Sequence, residues 1–135
     1  MLSPTLTTIR LFLHVLAAAI WVGGQFALAG MVPGLRKVGP DATKAAANGF
    51  ARLAWPAFAV AFGTGIWNML AAGTELPAGY NAVLGIKILL VVVAGVSAFA
   101  HAASENRAVK AMTGAVGAII GVVILFLGVL LVSHG

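Results

Sequence analysis

The groups able to do chemistry in this chain are few, and most of them interrupt long apolar runs. His14, Trp21 and Gln25 break the first run, Thr64, Asn68 and Met69 lie toward the end of the second, and Lys87 and His101 lie within the third, toward its two ends. At about 100° per residue, His14, Ala18, Trp21 and Gln25 share one helical stripe, and Lys87, Val91, Ala94, Ala98 and His101 share another. A neutral imidazole ligates a metal or moves a proton, and a thioether is a soft ligand suited to copper, so His14 and Met69 are the candidate metal ligands. A flat cofactor would draw on His14, Trp21, Asn68 and Lys87: an imidazole, an aromatic face, an amide and an ammonium. No residue is assigned a catalytic role. The chain has no cysteine, which removes disulfides, thiolate metal sites and cysteine nucleophiles. No Asp or Glu lies inside an apolar run, which argues against a paired-carboxylate hydrolase, a carboxylate proton relay and a Ser-His-Asp constellation.

Each of these residues also has a plainer role. His14 can be a buried imidazole bonded to a helix carbonyl, and Lys87 can snorkel to the headgroups. Trp21, in mid-span and outside any interfacial belt, lines a cofactor or fills the core. Met69 packs as readily as it ligates. His101 reads as an interfacial residue and His134 as a frayed terminal one.

The elements that position these groups follow from composition. Of 135 residues, 61% are hydrophobic and 8% charged, far below the roughly one quarter charged that a water-soluble domain carries. Disorder is excluded by the same figures. The chain therefore reads as an integral membrane protein: all-α, a single domain over residues 1–135, with spans at about 7–31, 53–72, 81–102 and 111–132, each near the ~20 residues a bilayer needs. Turn signals at Pro33-Gly34 and Gly39-Pro40, and again at Gly73 and Pro77 to Gly79, separate the spans. Short connections make neighbours antiparallel, which gives an up-and-down four-helix bundle. Asp41 is the expected N-cap of the second helix, whose amphipathic lead-in carries Asp41, Lys44, Asn48 and Arg52 to an interfacial Trp55, with a possible kink at Pro56. Gly63 and Gly65 offer a close approach on this helix. Gly117 and Gly121 form a small-xxx-small pair on the fourth, suited to packing within the bundle, to a homo-oligomer or to a membrane-complex partner.

The net charge of +5 comes from eight Lys and Arg against three acids, too few and too scattered for nucleic acid. Arg36, Lys37, Lys44 and Arg52 lie between the first two spans, and Arg107 and Lys110 precede the fourth. The positive-inside rule puts both connections in the cytoplasm and both termini outside, with Arg10 pulling the other way. Arg10, the run after it and Ala27-Leu28-Ala29 look like a signal peptide with a cleavage site, but the run is long enough to span and is read as the first helix. On this orientation His14 and Lys87 lie roughly 10 and 9 Å from the outer ends of their helices. They define an outer polar level with Thr64 and Asn68, near Trp67, Met69 and His134, while Gln25 and His101 form an inner one. His14 and His101 are separated by roughly 20 Å along the normal, too far to clasp one haem.

The stretch Leu11-Phe-Leu-His14-Val-Leu-Ala-Ala-Ala-Ile-Trp21-Val-Gly23-Gly24 resembles the opening helix of the copper resistance D (CopD-like) membrane domain, in which His, six residues and Trp precede glycine. The likeness continues in Phe50-Ala-Arg52-Leu, Gly63-Thr-Gly65 and Leu84-Gly-Ile-Lys87-Ile-Leu-Leu. It implies copper handling at the cytoplasmic membrane. The His, Trp and Lys positions also resemble HemJ-like protoporphyrinogen oxidase, which would make His14 a haem ligand or proton-transfer group and pair Lys87 with a propionate. The Leu-Pro-Arg-type segment of that family stands here as Met31-Val-Pro33-Gly34-Leu35-Arg36, and full-length CopD proteins carry more spans. Three classes of function follow: a copper-handling membrane protein with copper or a haem-type cofactor, a haem-binding oxidase, and a noncatalytic helix-packing subunit.

Overall fold

The computed structural model describes residues 2–134. Among them the architecture is all-α, with helices α1 (Leu6–Val38), α2 (Pro40–Ala71), α3 (Tyr80–Ala103) and α4 (Arg107–His134). Each is long and apolar enough to cross a membrane, which makes this a multi-pass membrane protein. The chain divides into two compact units, the hairpins α1–α2 and α3–α4.

In the first hairpin α1 starts on a capping box. The Thr5 hydroxyl accepts the Thr8 N–H at 3.1 Å while the Thr5 N–H donates to the Thr8 hydroxyl. The expected turn at Pro33-Gly34 does not form, and α1 runs through it to Val38. Proline removes one N–H, a loss a helix can bridge, whereas Gly39 imposes a true break. Its φ of +151° is strained for any residue with a Cβ, and Pro40 after it disfavours helix at position 39. The expected Asp41 cap is likewise replaced: Gly39 is the cap, Pro40 takes the first helical position where no N–H is needed, and Asp41 lies in the first turn facing the positive end of the helix. Helix α2 then continues unbroken through Pro56. At 33 and 32 residues the two helices run about 50 Å, well beyond the hydrocarbon thickness, and their joined ends carry Arg36, Lys37 and Lys44.

Small residues let α1 and α2 approach. Ala17 and Val22 of α1 and Ala54 and Ala57 of α2 are buried, and a Cβ at Gly24 would run into the Phe50 ring. Between them lies an aromatic cluster. Trp21, only 7% exposed, meets Phe58 at 4.7 Å and Trp55 at 5.6 Å between ring centroids.

The second hairpin matches the expected spans closely. Gly79, in the left-handed conformation at φ +81°, precedes α3. The Asn106 side-chain oxygen accepts the Ala108 and Val109 N–H groups and so caps α4. Its interior is smaller-grained: Ala94 of α3 and Gly117, Gly121 and Leu131 of α4 are the buried residues. Gly117 and Gly121 are thus buried in packing within the chain. The large side chains Phe99 and Phe126 face outward, as lipid contact requires.

Candidate functional site

The first hairpin builds one polar site, around His14. Its half-buried ring lies on Gly65 of α2, where an added Cβ would stand 3.3 Å from His14 Cε1, so glycine is what admits the imidazole. Beside it His14 Nδ1 and Thr64 Oγ1 are 2.9 Å apart. Thr64 is buried, and its hydroxyl donates to the Val60 carbonyl at 2.6 Å. That single proton is spent on the carbonyl, so toward His14 the hydroxyl oxygen accepts and Nδ1–H donates. The hydrogen-bond network thereby places a proton on Nδ1. A fixed imidazole of this kind is a Lewis base for a borderline or soft metal, or a proton acceptor.

One turn toward the free end of this hairpin lies Arg10, a residue weighed in the sequence for orientation and as part of a signal-peptide-like pattern, not as a site residue. Its guanidinium stands over the Trp67 ring at 5.9 Å. Arg10 Nε and Asn68 Oδ1, both shut off from solvent, have no hydrogen-bond partner. The spacing of four residues that joins Arg10 to His14 also joins Asn68 to Thr64, a signal readable once α1 and α2 are known to pair.

The other candidates fall elsewhere. Met69 lies five residues past Thr64, about 140° round the helix from the His14 face, and is 40% exposed. His14 and Met69 therefore do not converge within the hairpin. Trp21 fills the aromatic cluster and offers little ring surface to a cofactor. α1 and α2 are in contact at His14–Gly65 and at Trp21–Phe58. Gln25 is half-buried on the same helix. Lys87 belongs to the second hairpin and lies on Gly128, where an added Cβ would be 3.1 Å from its Nζ.

The second hairpin repeats the His-Thr-Gly arrangement. His101 of α3 lies on Gly114 of α4, its Nδ1–H donates to the Lys110 carbonyl at 2.9 Å, and Thr113 Oγ1 stands 3.3 Å away while donating to Val109. The sequence signal is Val-x-x-x-Thr-Gly, at 60–65 and again at 109–114. His101 is exposed, however, and its proton goes mainly to a carbonyl. A small apolar cleft of about 230 Å³ lies between the start of α3 and the end of α4, lined by Tyr80, Val83, Leu131 and His134 among others. His134 itself is bonded locally to Ser133 and the Leu130 carbonyl. Among the described residues no three His, Cys, Asp or Glu side chains gather to hold a metal. No family model, curated protein or solved structure matches the chain.

Proposed function

We propose that the protein handles copper at the cytoplasmic membrane, both termini outside, with His14 as the residue that binds the ion as it passes. The observation that supports this is the His14–Thr64 hydrogen bond, which holds the imidazole ring through Nδ1. Neutral imidazole binds copper readily, and the bond to a second residue orients the ring and raises its basicity. The ion is cargo in this reading. One fixed protein ligand, with no converging Met69, suits transient holding and handover better than a permanent centre. Lys87 is no copper ligand and acts as a snorkelling cation. The resemblance of Leu11 to Gly24 to the CopD-like opening helix agrees with this assignment.

The test is to purify the protein in detergent, record its absorption spectrum and measure copper and iron. Copper without iron is expected. Iron with a Soret band would overturn the copper reading in favour of a haem protein. Neither metal in folded protein offered copper would leave a noncatalytic membrane subunit as the better description.

A further inference from the structure

The free end of the second hairpin, where α3 begins and α4 ends, is open. The cleft of about 230 Å³ that lies there is lined by Val83, Leu131 and the Pro77 to Gly79 turn, and by Tyr80 and His134. The turn leaves this room because of its residues. Gly79 takes a left-handed φ of +81°, the Tyr80 N–H donates back to the Pro77 carbonyl at 3.1 Å, and Ala78 and Gly79 bring no side chain larger than a methyl group. Its size is below the roughly 300 Å³ at which sites for drug-sized ligands begin, and so suits a single ring.

Two side chains on this mostly apolar lining can make hydrogen bonds. The hydroxyl of half-buried Tyr80 is bonded to no other described residue. His134 is held by its own helix: Nδ1 stands 3.1 Å from the Leu130 carbonyl, which can only accept, so Nδ1 carries a proton. In the neutral ring the lone pair is then on Nε2, which is likewise bonded to no described residue. The cleft thus offers an acceptor nitrogen and a hydroxyl able to donate. A ligand group that donates to the first and accepts from the second is itself a hydroxyl, and the aromatic faces of Tyr80 and His134 favour an aromatic ring to carry it.

We propose that this cleft binds a membrane-dissolved phenol, a single hydroxylated ring with an apolar tail, which is the chemistry of a quinol headgroup. The ring lies against Val83 and Leu131, and its hydroxyl donates to His134 Nε2 while accepting from Tyr80. Tyr80 is the first residue of α3 and His134 the last of α4, at the level where amphipathic rings meet the bilayer surface. Val129 and Val132, next to Leu131 on α4, face outward as lipid contact requires, so the bilayer itself delivers the ligand. Copper binding plays no part in this proposal.

Tyr80 is the only tyrosine of the chain, which gives the site its own reporter. Protein with isotope-labelled tyrosine, in detergent at about pH 8.5 where an ordinary imidazole is neutral, would be titrated with para-butylphenol, its methyl ether and butylbenzene. The Tyr80 ring resonances are followed by NMR. The phenol should give a saturable shift and bind about threefold or more tighter than the ether, which accepts but cannot donate, and tighter again than the hydrocarbon. His134→Phe should bring the phenol to the affinity of the ether. Leu131→Trp fills the cleft and should abolish the saturable shift, and Val83→Trp serves if Leu131→Trp is not folded by circular dichroism and size exclusion. Butylbenzene binding as tightly as the phenol would overturn the proposal in favour of an acyl chain. A shift that does not saturate, or that persists undiminished in the folded Trp variant, would overturn it in favour of partition into the micelle. An unchanged preference for the phenol over the ether in His134→Phe would contradict it as well.

Discussion

The two hairpins use the same three residue types for different ends. In each, a histidine on the first helix lies on a glycine of the second, next to a threonine whose hydroxyl donates one turn back to a valine carbonyl. In the first hairpin the threonine is buried and supplies the acceptor for Nδ1–H. In the second the histidine is exposed and the Lys110 carbonyl is the closer acceptor. The difference is one of environment. A hydrogen bond sheltered in an apolar hairpin fixes a ring and is costly to lose, whereas the same bond at a wet helix end competes with water. The core around it differs as well: an aromatic cluster about Trp21 in one hairpin, alanine and glycine in the other.

Substitutions made in matched pairs would break or sharpen that contrast. The largest effect is expected from Trp21→Ala, which empties the aromatic cluster and should cost about 3 kcal/mol in reversible unfolding in detergent. Phe99→Ala in the second hairpin, at a site 67% exposed, should stay within about 0.5 kcal/mol. A comparable loss at both sites would remove the distinction between the cores. Next is Gly65→Val, which forces a side chain against the His14 ring and should cost about 2 kcal/mol, while Gly114→Val should cost far less because exposed His101 can swing aside. Thermal midpoints of the pair, read side by side, decide this. The smallest is Thr64→Val, with an expected loss of about 1 kcal/mol from one interhelical bond, against no measurable change for Thr113→Val, which leaves the Lys110 carbonyl in place. Equal losses for the two threonines would show that burial does not separate the sites.

How much of this was legible in the sequence depended on the turns. The spans at 81–102 and 111–132 lie just inside α3 and α4; the turn signal at Pro77 to Gly79 marks the start of the first, whereas the Asn106 cap of α4 was not read in the sequence. The first turn was harder, since Pro33-Gly34 and Gly39-Pro40 are both plausible breaks and only the second is used. That choice decides the partner of His14. With the turn at Gly39 its mirror position on α2 is Thr64, midway symmetry about residue 39, whereas a turn at Pro33-Gly34 would have set it near Leu53. The matched depth of His14 and Thr64 was nonetheless readable from helical rise alone, while Asn68, expected at that level, lies one turn further toward the free end, level with Arg10. Rotation was readable too, had it been applied to Met69, which lies off the His14 face. The proton on His14 Nδ1 was not readable, because it rests on where one hydroxyl proton goes, and that depends on Thr64 reaching the Val60 carbonyl. Arg10 was passed over because a lone cation near a helix start has no meaning until its neighbour Asn68 is known.

The central claim is that the sheltered histidine, not the exposed one, binds copper. Wild-type protein, His14→Ala and His101→Ala, each purified in detergent and equilibrated with the same copper concentration, would be compared for bound copper per chain. The account predicts that His14→Ala loses bound copper while His101→Ala retains the wild-type amount. Copper retained in folded His14→Ala, or lost only in His101→Ala, would contradict it.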